Sequence, residues 1–253
     1  VEGDVWYNAS TSLLKMHTYA AGSWATGGAL NQARNAPGGG AGTQTAGLVF
    51  GGGDPDYGQT EEYNGSSWAE QDDLNTARRE VAGLGLQTAA IAVAGINGTT
   101  KQAVCELYDG SSWTEVGDAN TARRYTTGCG ISTSGLLIGG DSGSTTGIVE
   151  SWNGTSWTET GDLNTARKSL AAAGDVSTSA IAFGGSPPAR DETESFDGSS
   201  WTEVGDLNTA RSELGGAGVA TAALAAGSGP SGTNTESFDG SSWTAENALS
   251  NNQ

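Results

Sequence analysis

The chain has 253 residues and a formal net charge of −18, from 29 acidic against 11 basic side chains, with 41 Gly, 8 Trp, 2 Cys and a single His. Leu, Ile, Val and Phe make up only about 15% of it, a fraction that reads as disorder unless a repeated pattern organises the chain. The acidity argues against a nucleic-acid partner, no apolar run is long enough for membrane insertion, and His17 with two Cys is too few ligands for a usual zinc or copper site.

Residues 1–33 come first and stand apart. The stretch GDVWYNASTSLLKMHTYAAGSWATGG holds three strand-like runs and places Tyr19 five residues before Trp24. From Trp24 onward a single register recurs. Trp24, Trp68, Trp113, Trp157, Trp201 and Trp243 follow one another at intervals of 44, 45, 44, 44 and 42 residues. Ten residues after each of the first five stands an Arg: Arg34, Arg78, Arg123, Arg167 and Arg211. Seven residues before each of the last five stands a Glu: Glu61, Glu106, Glu150, Glu194 and Glu236. An aromatic precedes each of those Trp by five: Tyr63, Tyr108, Trp152, Phe196 and Phe238.

Each unit reads as four short strands divided by Gly, Pro, Ser and Asp, with no helical period. An Asp-Gly or Asn-Gly before the Trp predicts a tight hairpin between the third and fourth strands. Repeated four-stranded units of this length predict an all-β propeller. The first strands (PGGGAG, VAGLG, TTGCG, LAAAG, LGGAG) suit the crowded axis of such a ring, where little room remains for side chains. The expected organisation is a partial blade or tail-like hairpin over 1–33 and five blades over 34–253. Gln253 stands at the repeat Arg position, so a three-stranded sixth blade is expected, with a closed five-blade ring and a pendant N-terminal sheet as the alternative.

The pattern resembles the kelch repeat: a small-residue first strand, a second strand ending in Gly-Gly (LVFGG, LLIGG, IAFGG), an aromatic in the third and a Trp in the fourth. Two units depart from it, with Ala94-Gly95-Ile96 and Gly227-Ser228-Gly229 in place of the double Gly. The resemblance implies a kelch-like propeller and fixes no activity. The SFDGSSW motif is also similar to the Asp-box hairpin of sialidases, one residue shorter here.

The equal numbers of repeat Arg and Glu predict structural pairs; a ring of Arg receiving an anionic ligand is the alternative. Cys105 and Cys129 fall on strands at different radii, which argues against a bridge. DPDY at 54–57 and Asp72-Asp73 are acidic enough to consider calcium, yet no cofactor or metal is expected. Asn64, Asn97 and Asn153 open glycosylation-type triplets, although the turn itself demands Asx-Gly at two of them.

The variable segment is the loop between second and third strands: 53–60, 96–103, 141–148, 186–192 and 228–234. Its polar residues Asp54, Asp56, Tyr57, Asn97, Lys101, Asp141, Arg190, Asp191 and Asn234 suit a glycan, with Tyr57 as stacking platform. Acidic DGSSWTEVGDLNTAR arrays, and the opening GDVWYN, resemble tail-associated virion proteins of marine bacteriophages. That resemblance implies a non-enzymatic virion propeller of structural or tail-fibre-like adhesive role. Its expected partners are other virion proteins and a host-surface polysaccharide, and its expected location is the virion, assembled in host cytoplasm. A secreted or surface lectin-like propeller and a carboxylate-dependent glycan hydrolase are the competing readings.

Overall fold

The computed structural model describes residues 5–8, 13–16, 24, 27–34, 39–228 and 232–249; His17 and Tyr19 lie outside these residues. An N-terminal pair, β1 (Val5–Asn8) and β2 (Leu13–Met16), forms its own two-stranded sheet. Blade 1 is β3 (Gly39–Thr43), β4 (Ala46–Phe50), β5 (Thr60–Tyr63) and β6 (Trp68–Gln71). Blade 2 is β7 (Ala82–Leu86), β8 (Ala89–Val93), β11 (Cys105–Tyr108) and β12 (Trp113–Glu115), with a small hairpin, β9 (Ile96–Asn97) and β10 (Thr100–Lys101), in its loop. Blade 3 is β13 (Thr127–Ile131), β14 (Ser134–Asp141), β15 (Thr145–Trp152) and β16 (Trp157–Glu159). Blade 4 is β17 (Ala171–Val176), β18 (Ser179–Phe183), β19 (Thr193–Phe196) and β20 (Trp201–Glu203). Blade 5 is β21 (Gly215–Val219), β22 (Ala222–Ala226), β23 (Thr235–Phe238) and β24 (Trp243–Ala245). Each blade is an antiparallel meander in chain order. The molecule is therefore a β-propeller with five complete four-stranded blades, as the repeat predicts.

The apolar residues of each blade alternate between its two faces, and four cores result, one at each junction of successive blades. Leu48 and Phe50 of blade 1 pack on Ala90, Ala92, Tyr108 and Trp113 of blade 2. Ile181 and Phe183 of blade 4 meet Ala223, Ala225, Phe238 and Trp243 of blade 5 in the same way. Within a blade the third-strand aromatic lies against the Trp, as for Tyr108 and Trp113 with ring centroids 5.0 Å apart. Few large side chains thus suffice, because each aromatic pair fills most of one junction.

Small residues on the inner strands are required by backbone approach. A Cβ on Gly83 would stand 2.4 Å from the Gly40 carbonyl oxygen, and one on Gly216 would stand 2.8 Å from that of Ala172. The double Gly has a related cause. Gly52, Gly95, Gly140 and Gly185 donate their amides to the carbonyls of Arg78, Arg123, Arg167 and Arg211 of the next blade at 2.8–3.0 Å. The residue before each takes a positive φ, from 62 to 66° at Gly51, Gly139 and Gly184, and 63° at Ala94. Ala94 adopts the glycine conformation without being glycine.

The connections between blades are clamped. Glu106 accepts the amides of Asn75 (2.7 Å) and Thr76 (3.3 Å) and pairs with Arg78 at 2.9 Å, both charged side chains fully buried. Glu61, Glu150, Glu194 and Glu236 do the same for Arg34, Arg123, Arg167 and Arg211. Burial pulls the Arg123 guanidinium down from its ordinary value, and Glu150 opposes that. Each repeat Arg is thus joined to a repeat Glu in an ion pair. Each third-to-fourth-strand turn is capped by its Asx: Asp109 Oδ1 accepts the amides of Ser111 and Ser112 at 2.9 Å each.

The N-terminal segment completes the circuit. Trp68 Nε1 donates to the carbonyl of Gly28 and Trp201 Nε1 to that of Gly161, each acceptor lying four residues after the preceding Trp. Trp24 Nε1 donates at 3.0 Å to Asn247, four residues after Trp243. Trp24 and residues 27–34 therefore follow blade 5 and precede blade 1. The pairing of β1 with β2 matches a blade as well. Val5 pairs with Met16, nineteen and eight residues before Trp24; Ile138 pairs with Val149, nineteen and eight before Trp157. β1 and β2 thus pair at the spacing of a blade's second and third strands while forming a sheet of their own beside the five-blade ring.

Candidate binding face

The residue after the repeat Arg is a cation in three successive blades: Arg79, Arg124 and Lys168. Its backbone pairs with the start of the variable loop, Arg79 with Ile96, Arg124 with Asp141 and Lys168 with Ser186. Cations and loops therefore share one face. The next residue takes a left-handed conformation without being glycine: Glu80 (φ 57°), Tyr125 (55°), Ser169 (52°) and Glu213 (59°). The last three are held by hydrogen bonds from blade to blade, Ser169 N to Tyr125 O at 2.9 Å and Glu213 N to Ser169 O at 2.8 Å. Such strain persists where surrounding structure over-determines the backbone, and it concentrates at functional sites.

These side chains interlock across blades. Asp141 receives Lys101 at 3.5 Å, Lys168 at 3.6 Å and Arg124 at 3.8 Å. Burial opposes ionisation of Asp141, but the Gly143 amide, Lys101, Lys168 and Arg124 outweigh it and hold its carboxyl below the usual range. Glu80 pairs with Arg124 at 3.5 Å. The Tyr125 ring has the Arg124 guanidinium carbon 4.7 Å and the Lys168 nitrogen 5.3 Å from its centroid. Burial raises the Tyr125 hydroxyl above its ordinary value, and its hydrogen bond to Glu80 adds to this. Asp56 pairs with Arg79 and accepts the Gly98 amide, joining the loop of blade 1 to that of blade 2. Beside these pairs lies a shallow cleft of about 240 Å³, lined by Arg79, Ile96, Gly98, Thr99, Lys101 and Arg124.

Of the loop residues singled out from the sequence, Asp56, Asn97, Lys101 and Asp141 come together around this cleft. Asn97 is tied by its side-chain amide to the Ala77 carbonyl at 2.7 Å. Asp54 is exposed nearby in the loop of blade 1. Tyr57 is half-buried with its ring against Gly53, where an added Cβ would lie 2.4 Å from the ring. Arg190 pairs with Glu192 of its own loop at 2.6 Å, beside exposed Asp191. Asn234 gives its carbonyl to Arg211 at 2.8 Å. The sequence reading missed Arg79, Glu80, Arg124, Tyr125 and Lys168. Their signal was the basic doublet at 78–79, 123–124 and 167–168 in a strongly acidic chain.

Cys105 and Cys129 are free and buried, and burial pushes both thiols up to about 12. Among the described residues no group of three or more His, Cys, Asp or Glu is placed to hold a metal ion. No model of a known protein family matches the chain, and no curated protein matches it either.

Proposed function

We propose that this propeller is a non-enzymatic virion component, kelch-like in lineage and tail-fibre-like in role, whose loop face binds a host-surface glycan. The observation that carries the glycan reading is the cleft between the loops of blades 2 and 3. Three cations of an acidic chain converge there, with the Gly98 backbone and the Thr99 hydroxyl beside them. Guanidinium and ammonium groups held by carboxylate partners offer fixed donors to sugar hydroxyls and to the carboxylates or sulfates of an acidic saccharide. The virion assignment rests on the resemblance of the repeat and of GDVWYN to phage tail-associated proteins. A shallow site of this kind binds weakly, and several copies on one particle raise the avidity.

Two experiments test the two parts. Purified chain titrated with acidic host-surface polysaccharide is expected to bind, more weakly at high salt. Lys101→Ala and Thr99→Val are expected to reduce that binding severalfold with little change in melting temperature. Binding that ignores both substitutions removes this face as the recognition surface. Antibody labelling of purified particles tests the second part, and virions that carry no label sink it.

A further inference from the structure

Each inner strand starts beside the variable loops and ends at the opposite face of the ring. There its hairpin to the second strand lies against the Asx turn of the same blade. A Cβ on Gly110 would stand 3.5 Å from the Thr88 carbonyl oxygen, and one on Gly198 would stand 3.3 Å from the Thr178 side chain. The last residues of the inner strands, in blades 1 to 5, are Thr43, Leu86, Ile131, Val176 and Val219. Of the four large apolar side chains exposed among the described residues, three stand at this one position: Leu86 at 50%, Ile131 at 38% and Val219 at 37%. Leu86 and Ile131 belong to inner strands packed on a neighbour at both sides, so their exposure does not come from an open edge. Thr43 serves at the same place in blade 1, so the fold itself asks for no apolar side chain there. In a chain this poor in apolar residues, an exposed apolar arc repeated from blade to blade marks an interaction surface.

The arc stands on fixed turns. Gln87 Nε2 donates to the carbonyls of Tyr63 and Gly47, at 2.7 and 3.0 Å, and ties the blade 2 hairpin to blade 1. The Ser134 hydroxyl accepts the Ser177 amide at 3.0 Å and ties the blade 4 hairpin to blade 3. Farther from the axis, Asp109, Asp197 and Asp239 are exposed, each held by the amides of its own turn, and Asp175 is exposed within β17. Apart from Lys15 of β2, every Lys and Arg of the chain is a repeat Arg, the residue after one, or a member of a variable loop. None of them stands in these turns. The face is an apolar arc rimmed by carboxylates alone.

We propose that this turn face is a docking surface for a different protein, through a basic segment with apolar residues at its centre. The apolar centre covers Leu86, Ile131 and Val176, and flanking Lys or Arg side chains meet Asp109, Asp175, Asp197 and Asp239. Charge selects this occupant. The carboxylates repel nucleic acids and anionic lipid surfaces. A second copy of the chain brings the same carboxylates on its own turn face. The cations of its loop face are already held in ion pairs with Asp56, Glu80, Asp141 and Glu192. Carboxylates fixed by their own turns give a basic partner a preformed pattern to match, and complementarity of this kind sets specificity and speed of association. The surface is separate from the glycan cleft, which lies on the opposite face.

The probe is the synthetic peptide Lys-Lys-Gly-Leu-Leu-Gly-Lys-Lys, titrated into the full chain by calorimetry. It is expected to bind one to one, more weakly at high salt. The same peptide with Ser in place of both Leu is expected to bind about fivefold more weakly, for loss of the apolar contact. Leu86→Thr with Ile131→Thr, which copies Thr43, is expected to erase the difference between the two peptides while the melting temperature stays close to wild type. Asp197→Asn with Asp239→Asn, which copies the Asn turns of blades 1 and 3, is expected to weaken both peptides. Lys101→Ala on the opposite face is expected to change neither. Absence of binding, equal binding of the two peptides, or a Leu peptide indifferent to Leu86→Thr with Ile131→Thr overturns the proposal. A dimer in solution that the same two substitutions dissociate overturns it too, by giving the face to a second copy.

Discussion

At the scale of single residues, backbone conformation separates blade 2 from its neighbours. Ala94 stands at φ 63° where Gly51, Gly139 and Gly184 stand in other blades. A left-handed alanine costs about 1–2 kcal/mol, while loss of its buried methyl costs about 0.8 kcal/mol. Ala94→Gly is therefore expected to stabilise the protein by up to about 1 kcal/mol, read from urea unfolding midpoints. The buried pairs behave differently. Arg123→Met leaves Glu150 charged and buried and is expected to cost about 3–5 kcal/mol. Glu150 also accepts the amides of Asn120 and Thr121. Adding Glu150→Gln removes the stranded charge and keeps an acceptor, so the double variant is expected to unfold at higher urea than Arg123→Met alone.

At the scale of the element, the third-to-fourth-strand hairpin is a local unit. Asp197 and Asp239 each collect two backbone amides, at 2.8–2.9 Å, and Ser hydroxyls within their own turn. The amide three residues on, Ser200 for Asp197 and Ser242 for Asp239, leads the bonds that lower the carboxyls from 3.8 to about 2. The folded chain thus holds these protons less tightly than the unfolded one. The turns add stability that is fully present above about pH 4 and is lost as pH falls toward about 2. Asp197→Asn with Asp239→Asn is expected to flatten the loss of stability between those values, measured by thermal melts across the series. This element was legible from Asp-Gly-Ser-Ser-Trp alone, because every partner of the Asp lies within three residues.

At the scale of the whole molecule, stability follows nearest neighbours around the ring. The junctions among blades 1 to 5 each hold a core, whereas among the described residues blade 5 is linked to blade 1 through Trp24 and residues 27–34. Deleting residues 1–33 removes the Trp24 bond to Asn247 and the Arg-free part of the clamp on Glu61, including the Asn31 and Gln32 amides. The truncated chain is expected to melt lower by calorimetry yet keep the β-sheet circular dichroism of its blades. Unchanged melting would detach the segment from the ring.

The amino-acid sequence by itself determined the repeat, the four strands of each blade, the capped turn and the Arg–Glu pair. All of these depend on contacts at constant spacing within one unit, and a periodic chain prints them five times. It also gave the segment from Trp24 to Arg34 the length of a repeat linker, and Trp24 accordingly bonds to Asn247 of the last unit. Tertiary structure alone decided what depends on how the blades are turned about the axis. Lys101 and Lys168 come from the blades on either side of Arg124 and Asp141, and only the curvature of the ring brings both within 4 Å of Asp141. The exposure of β21 and of Gly40 is of the same kind. GGAG reads alike in blades 1 and 5 and differs little elsewhere, and only the ring decides which copies have a neighbour.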